Sequence, residues 1–478
     1  MNTNEIVSKL WKLCDILRDD GITYHQYVTE LSYLLFLKLM AETGDEDELP
    51  EGYRWNDLSG LTGVDQHNYY RELLVHLGTH GSDTVRAIFT NSNSSLRQPV
   101  NLERLVKSID SLQWYSADKE DLGDMYEGLL QKNASEKKSG AGQYFTPRPL
   151  IECMVRCIRP QPGEVIQDPA AGTGGFLIAA DRFIKAATNG LYDLPQADQD
   201  FHYADAFHAV ELVPEAHRLL LMNCLLHGVS GHLHNENTLA SFGDSMEPAD
   251  VILTNPPFGT AKGGKVTREF TYVTSNKQLC FLQHIYRGLK PGGRTAVVLP
   301  DNVLFEEGTG TRIRADLMDK CNLHTILRLP TGIFYAQGVK TNVLFFTRGA
   351  TDTGNTQHVW VYDLRTNMPS FGVRTPLTHS HFEDFENAYG KRPDGSSQRT
   401  DQGETGRFSC FTREQIAARG DNLDISWLKD DDVGGVDELP DPEEIASQIR
   451  ERLSTALEEM DALVGILEGD TSELEDTP

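Results

Sequence analysis

The chain has 478 residues, which is too many for a single hydrophobic core, and we therefore expect two or three domains. Its formal net charge is −27, with 71 acidic and 44 basic residues, which argues against a chain that binds DNA unaided. The seven cysteines are scattered along the chain, which predicts reduced thiols in a cytoplasmic protein. Charges interrupt the N-terminus and no long apolar run follows, so we expect no signal peptide and no membrane contact.

The first part of the chain has the spacing of amphipathic helices. Ile6, Leu10 and Leu13 recur at helical intervals, and residues 27–40 continue the pattern. Polar segments separate the apolar runs. We therefore predict an N-terminal helical domain over residues 1–135, which shows no chemistry of its own and is typical of a scaffold or docking module.

A glycine turn and two aromatic residues precede the next helix, in GAGQYFTPRPLIECMV at residues 140–155. Tyr144 and Phe145 offer flat apolar surfaces that could stack on a ligand or pack under a loop, and composition leaves both possibilities open. Cys153 and Cys157 lie one helical turn apart, but without a second pair nearby they predict buried small side chains and not a metal site.

From residue 164 short apolar runs alternate with helical stretches. The runs are EVIQD, AVEL, DVILTN, RTAVVLP, HTILRLP and NVLFF. Strands separated by helices need crossover connections, so we predict an α/β domain over residues 136–420 that has a parallel sheet with helices on both faces. In such a fold ligands bind at the carboxyl ends of the strands, where the loops meet.

The first two strands end in residues that suit a nucleotide-like ligand. EVIQD ends at Asp168, which can accept hydrogen bonds from an amine or a hydroxyl, and residues 172–175 form a glycine-rich loop that a ligand can approach closely. This loop is not the GxGxxG dinucleotide fingerprint. Glu211 ends the next strand and is predicted to bind ribose hydroxyls, although a single glutamate there could also cap a helix.

The strand DVILTN ends in Asn-Pro-Pro-Phe at residues 255–258. Asn255 and Pro256 supply two carbonyl acceptors, and Phe258 supplies a flat apolar face. Such a set suits a planar ring with an exocyclic amine, because acceptors that hold the amine hydrogens out of the ring plane free the nitrogen lone pair for attack. The alternative is a strand that prolines simply terminate before a loop.

The loop that follows carries three basic residues, Lys262, Lys265 and Arg268. Part of it matches a phosphate-binding Walker A motif, but Val266 stands where that motif needs Ser or Thr, and we reject a nucleoside triphosphatase on this ground. Three such charges often belong to a solvated loop. Their position directly after residues 255–258 instead favours contacts with phosphate beside the pocket.

The C-terminal part opens with the acidic segment KDDDVGGVDELPDPEE, which is typical of a linker. After it, Ile449, Leu453, Ala456 and Met460 step by alternating four and three residues, the spacing of a coiled-coil seam. This helix could pack on its own domain, but the acidic linker favours a partner. We therefore predict a linker and a partner-docking helix over residues 421–478.

The motifs DPAAGTGG, NPPF and GQYFTPR together resemble those of the adenine-N6 DNA methyltransferases, and specifically the modification subunits of type I restriction-modification systems. The resemblance extends over nearly the whole chain and includes LPTGIFYAQGVKTNVLFF and LDISWLK. It implies a Rossmann-like S-adenosylmethionine-dependent domain that methylates the N6 amine of adenine in DNA. The residues expected at the cofactor, from this pattern or from the loop described above, are Gln143, Tyr144, Phe145, Thr146, Pro147, Arg148, Asp168, Gly172, Thr173, Gly174, Gly175 and Glu211. The residues expected at the target base are Asn255, Pro256, Pro257 and Phe258.

The resemblance also implies a complex. In it, two such subunits join a separate specificity subunit that reads double-stranded DNA, together with motor-nuclease restriction subunits. The N-terminal helices would help to enclose DNA, and the C-terminal helices would dock on the specificity subunit. A structural subunit with a vestigial pocket and a methyltransferase for protein glutamine are the alternatives, and the intact motifs and the breadth of the resemblance favour the DNA methyltransferase over both.

One position departs from the family pattern. Many related methyltransferases have an acidic residue in the loop after the third strand, where this chain has Asn237. Glu236 or Asp244 could substitute for it, and the residue of this loop that contacts the cofactor adenine stays unassigned.

Removal of residues 440–478 should disturb assembly with the specificity subunit more than it disturbs cofactor binding, because the predicted docking helix lies far from the motifs of the pocket. Co-purification of the truncated subunit with the specificity subunit, beside a calorimetric measurement of S-adenosylmethionine affinity, tests this. A truncated subunit that still co-purifies would contradict the assignment of the helix.

Overall fold

The computed structural model describes residues 24–112, 146–258, 266–334, 339–369, 371 and 375–428, together with residues 9, 12 and 13. The helical pattern predicted at Ile6 and Leu10 and residues 113–135 of the predicted N-terminal domain lie outside the described residues, and so do three further groups of predictions. They are the first residues of the GQYFTPR motif, two of the basic residues after residue 258, and the helix near the C-terminus. The individual residues concerned are Gln143, Tyr144, Phe145, Lys262, Lys265 and the seam residues from Ile449 onward.

The N-terminal part of the described chain is helical, as predicted. Its helices are α1 (Tyr24–Thr43), α2 (Trp55–Ser59), α3 (Gly63–Leu77), α4 (Asp83–Phe89) and α5 (Pro99–Asp110), with a 3₁₀ turn at Glu46–Glu48. In α5, Leu102, Leu105, Val106 and Ile109 have the spacing of one helical face, and all four are buried in the core that these helices share. None of the described helices is both long and apolar enough to cross a membrane.

A mixed sheet forms the centre of the second part. Within the described residues its strands are β1 (Ile166–Asp168), β2 (Phe207–Val210), β3 (His232–His234), β4 (Ala249–Thr254), β5 (Leu289–Pro300), β6 (Cys321–Arg328), β7 (Thr341–Arg348), β8 (His358–Asp363) and β9 (Phe408–Thr412). Their spatial order is β3-β2-β1-β4-β5-β7-β6-β8-β9. The first five strands in this order are mutually parallel, whereas β7 is antiparallel to β5 and β6, and β9 is antiparallel to β8.

The prediction of a parallel sheet is therefore wrong at β7. The segment NVLFF forms most of β7, and it follows β6 after residues 329–340, which contain no helix among their described positions. Without a crossover helix the chain returns beside the strand that it has just left, and the pair is antiparallel. Three strands, β3, β8 and β9, do not appear among the predicted runs.

Helices cover both faces of the sheet, as predicted. They are α6 (Arg148–Ile158), α7 (Gly175–Ala187), α8 (Gln196–Ala204), α9 (Pro214–Leu226), α10 (Phe242–Ser245), α11 (Lys277–Gly288), α12 (Asn302–Phe305), α13 (Thr309–Lys320), α14 (Glu383–Tyr389) and α15 (Arg413–Ala418). Val251 of β4 lies in a core shared with α6 and α7, and the next residue, Ile252, lies in a second core shared with α11 and α13. This alternation is the signature of a strand that is covered on both sides. Cys153 and Cys157 on α6 are buried, as predicted.

The packed structure continues past residue 420, where the predicted linker begins. Leu423 and Ile425 are buried in the core that contains α11 and α13, and the Leu423 N–H donates to the Leu304 carbonyl at 2.9 Å. Residues 421–428 therefore pack on the sheet domain.

Candidate functional site

Three strand ends meet at the carboxyl edge of the sheet. β1 lies between β2 and β4 and is parallel to both, so the residues that end these strands are neighbours in space. Asp168 ends β1, Glu211 follows β2 and Asn255 follows β4. The structure thus brings to one edge of the sheet the three polar residues that the sequence predicted for a single pocket.

Glu211 holds the glycine-rich loop against the start of α9. One carboxylate oxygen accepts the Gly172 N–H at 2.9 Å, and the other accepts the Val213 N–H at 2.8 Å. The side chain is buried, and this burial raises the pKa of Glu211. Each oxygen keeps a further lone pair, so Glu211 can accept ligand hydroxyls while it holds the loop.

The glycines of the loop are required by backbone conformation and by close packing. Gly172 and Gly174 have φ angles of +55° and +83°, in the left-handed region. A Cβ atom at Gly174 would lie 2.7 Å from Leu220 Cδ1 of α9. The Thr173 carbonyl accepts the Asn223 side-chain amide at 2.9 Å, so α9 also fixes the middle of the loop. The predicted loop is therefore held by α9 and Glu211, and Thr173 is the one residue among positions 172–175 that carries a side chain.

Asp168 presents a buried acceptor that the described part of the chain leaves unused. Its Oδ1 accepts the Ala170 N–H at 3.0 Å, whereas Oδ2 is buried without a hydrogen-bond partner among the described residues. Burial raises the pKa of Asp168 to about 7. A buried carboxylate oxygen without a donor is costly to the fold, and a ligand amine or hydroxyl would satisfy it.

Asn255 joins the NPPF motif to the end of the GQYFTPR motif. Its Nδ2 donates to Thr146 Oγ1 at 3.0 Å, and its Oδ1 is buried without a partner among the described residues. Pro147 and Arg148 then lead into α6, where Arg148 Nε lies 3.3 Å from Glu152 Oε1. Two motifs whose contacting residues are 109 positions apart in the sequence therefore line one site.

Phe258 packs against Phe334, an aromatic residue that was not predicted as a site residue. The rings of Phe258 and Phe334 are edge to face, with centroids 5.5 Å apart at 85°. Phe334 follows β6 in the segment LPTGIF, and both side chains are largely buried. Gln278 of α11 fixes the same motif, because its Nε2 donates to the Pro257 carbonyl at 3.2 Å. Phe334 lies in LPTGIFYAQGVKTNVLFF, a segment that carries the family resemblance, but no role was predicted for it.

Arg268, one of the three predicted phosphate contacts, is engaged within the chain. Its Nε lies 2.6 Å from Asp244 Oδ1, and its Nη1 donates to His284 Nδ1 at 2.7 Å. Burial and the nearby guanidinium lower the pKa of His284 to about 3, so this imidazole is a neutral acceptor. Arg268 thus fixes the loop after residue 265 to α10 and α11, and its charge is already compensated by Asp244.

The loop after β3 supports the backbone beside Glu211. Asn235 Nδ2 donates to the Glu211 carbonyl at 2.7 Å, and Asn237 Oδ1 accepts the Leu239 N–H at 2.9 Å. Leu212, directly after Glu211, is 53% exposed and presents an apolar side chain beside the end of β2. Leu212 and Asn235 were not predicted as site residues, because neither side-chain type indicates a ligand by itself.

Two family models match the chain. The model described as N-6 DNA Methylase matches residues 117–431, and the model described as HsdM N-terminal domain matches residues 6–109. The first alone covers more than half of the chain. Together they assign the sheet domain and the N-terminal helices to known families.

Individual proteins match over nearly their whole length. The StySPI type I restriction enzyme methylase subunit of Salmonella potsdam is 55% identical over 97% of this chain and 95% of its own. The EcoKI methylase subunit of Escherichia coli K12 is 54% identical with the same coverage. The crystal structure of the EcoKI M protein superposes with a TM-score of 0.59 at 48% identity, and the match covers 99% of this chain and 100% of that one. A chain of another solved type I restriction-modification system reaches a TM-score of 0.74 at 29% identity, covering 98% of this chain and 99% of that one.

Because its pKa is raised, Asp168 should make the free energy of unfolding depend on pH. Because the folded-state pKa is about 7 and the ordinary value is 3.8, the folded state binds the proton more tightly, and the stability that this group contributes is lost as pH rises from about 4 to 7. Asp168→Asn keeps the shape but cannot ionise. The variant should therefore gain stability relative to the wild type across this range and keep a constant difference, of the order of a few kcal/mol, above about pH 8.

Chemical denaturation at several pH values measures this difference. Asp193→Asn, which removes an exposed carboxylate from the same domain, is the matched control for the loss of one charge. A difference between Asp168→Asn and the wild type that does not change with pH would show that the carboxyl is not buried as described.

Proposed function

This chain belongs to the N-6 DNA methylase family and, as a type I methylase subunit, methylates adenine at N6 in DNA; from that premise we propose that it takes its methyl group from S-adenosylmethionine held where β1, β2 and β4 end. The family match over most of the chain also argues against a methyltransferase for protein glutamine. The observation that carries the proposal is a pair of buried acceptors without partners in the described structure, Asp168 Oδ2 and Asn255 Oδ1.

The residues around the glycine-rich loop fit the parts of this donor. Asp168 Oδ2 would accept from its ammonium group, and the further lone pairs of Glu211 would accept from its ribose hydroxyls. The exposed side chain of Leu212 supplies an apolar surface for the adenine ring. When bound, S-adenosylmethionine supplies a methyl group activated by a sulfonium. The chain's part is to orient the donor and exclude water from it.

Asn255 and its neighbours fit the acceptor. We assign Asn255 Oδ1 and the Pro256 carbonyl to the two hydrogens of the adenine N6 amine, where they would draw the lone pair out of conjugation with the ring. The Asn255 amide is turned so that Nδ2 faces Thr146, which leaves Oδ1 for the base. Phe258, braced edge-on by Phe334, would stack on the flipped ring and replace part of the lost base stacking.

The charge of the chain supports a division of labour between subunits. Type I methylase subunits work in complexes with DNA and other subunits, and a net charge of −27 gives this chain little affinity for DNA by itself. We assign sequence recognition to a separate specificity subunit that two copies of this chain flank on double-stranded DNA, with a motor-nuclease restriction subunit added for cleavage.

Transfer of a labelled methyl group from S-adenosylmethionine to DNA tests the proposal, with and without the specificity subunit. Label in adenine that depends on the specificity subunit is expected. Label without that subunit would contradict the division of labour, and failure of the assembled complex to use S-adenosylmethionine would contradict the assigned donor.

Variants of the NPPF motif should separate chemistry from base capture. Asn255→Ala should lower kcat roughly a hundredfold, because one acceptor of the amine is lost. Phe258→Ala should chiefly raise KM for DNA, because the stacking surface is lost. Donor affinity, measured by calorimetry, should stay close to the wild-type value in both variants.

Tyr192→Ala, which removes an exposed ring elsewhere in the same domain, is the matched control and should change neither constant. Loss of donor binding in Asn255→Ala, with normal turnover at saturating donor, would show that Asn255 serves the donor and not the base.

We assign the predicted phosphate contacts to Lys262 and Lys265 and not to Arg268, whose charge is paired with Asp244. Replacement of both lysines by alanine should reduce the slope of log affinity against log salt by about two, since each phosphate contact contributes roughly 0.9. The measurement uses the assembled complex at several salt concentrations. Arg268→Ala is the control, because its charge is already paired with Asp244. A slope that is unchanged in the double variant would contradict the assignment.

A further inference from the structure

Helix α9 belongs to two hydrophobic cores at once. Leu221, Met222 and Leu226 are buried in the core of the N-terminal helices. Leu220 and Cys224 are buried in the core between the sheet and α6 and α7. A helix of 13 residues therefore forms the wall between the N-terminal domain and the methyltransferase domain.

On the side of the N-terminal domain, α9 is held by Arg218. Its Nε donates to the Ile88 carbonyl at 2.7 Å, and its Nη2 donates to the Thr90 carbonyl at 3.1 Å. These carbonyls lie at the end of α4, where the helix dipole favours a cation. The guanidinium also lies over the Tyr33 ring of α1, 5.5 Å from its centroid. One side chain thus fixes α9 to two of the N-terminal helices.

On the other side, α9 contacts the proposed donor site at three points. At its start, the Val213 N–H donates to Glu211. In its middle, Leu220 occupies the space beside Gly174, where a Cβ atom added to the glycine would lie only 2.7 Å from Leu220 Cδ1. Near its end, Asn223, which is completely buried, donates its Nδ2 to the Thr173 carbonyl. The glycine-rich loop therefore rests on α9 along the length of the helix.

We propose that Arg218 and Asn223 are positioning residues for the methyl donor. In this proposal α9 couples the position of the N-terminal helices to the geometry of the donor site. An α-helix is stiff over this length, and the two residues are separated by only about 7.5 Å along its axis at 1.5 Å per residue. A shift of α9 at Arg218 therefore moves Asn223, and with it the Thr173 carbonyl. Neither residue needs to touch the donor. The inference rests on the proposed donor site.

The test measures S-adenosylmethionine affinity by calorimetry on the full-length chain, beside the midpoint of thermal unfolding. Arg218→Ala and Asn223→Ala are each expected to raise Kd by about fivefold or more. Because Arg218 acts through Asn223 in this scheme, the double variant should raise Kd by clearly less than the product of the two single effects. Arg218→Lys, which keeps the charge but cannot bridge both carbonyls, should give an intermediate Kd and replaces Arg218→Ala if that variant does not fold.

Arg348→Ala is the matched control. Arg348 also donates to a backbone carbonyl, that of Lys320 at 2.6 Å, but it lies at the end of β7 and forms no hydrogen bond or ion pair with a described residue of α9. It should lower the midpoint of unfolding without a change in Kd. Variants of Arg218 that lower the midpoint but bind the donor as the wild type does would overturn the inference, and so would fully multiplicative effects in the double variant. Failure of the wild type itself to bind S-adenosylmethionine would overturn the donor site, and this inference with it.

Discussion

The carboxylate of Glu211 makes the two hydrogen bonds on which the rest of the site depends. A buried carboxylate is stable only if its oxygens are supplied with donors, and here the donors are the backbone N–H groups of Gly172 and Val213. One side chain therefore joins the glycine-rich loop, the end of β2 and the start of α9. Because the bonds go to backbone atoms, they fix the path of the chain irrespective of the neighbouring side chains. Each oxygen keeps a further lone pair that a ligand could use.

Other polar groups of the site are satisfied less completely, and two of them end adjacent strands at the carboxyl edge of the sheet. Glu211 and Asn235 support backbone, whereas Asp168 Oδ2 and Asn255 Oδ1 are buried acceptors without donors in the described structure. Each such acceptor costs folding free energy, of the order of 1 to 3 kcal/mol. A fold tolerates this cost where a ligand restores the missing hydrogen bond. The two acceptors belong to adjacent strands, which is consistent with two ligands that must meet.

Much of this could be predicted from the sequence, and the failures have physical reasons. The strands that end in Asp168, Glu211 and Asn255 were identifiable because each is a short apolar run followed by a polar residue or glycines. The direction of β7 was not, because an apolar run has the same composition whichever way it runs. β3 was missed because it has three residues and its two histidines are exposed. Phe334 and Asn223 could not be found, because their partners lie far away in the sequence and each contact is a product of folding.

The sharing of α9 between two cores has a consequence for folding cooperativity. The family models divide the chain between residues 109 and 117, which suggests two modules that could be exchanged or expressed separately. The hydrophobic core crosses that division, because Leu221, Met222 and Leu226 of the second module are buried in the core of the first. Separation would expose this stripe on one fragment and leave a cavity in the other. The boundary between the two family models is thus not a boundary of the hydrophobic core, and we expect the two parts to fold as one unit.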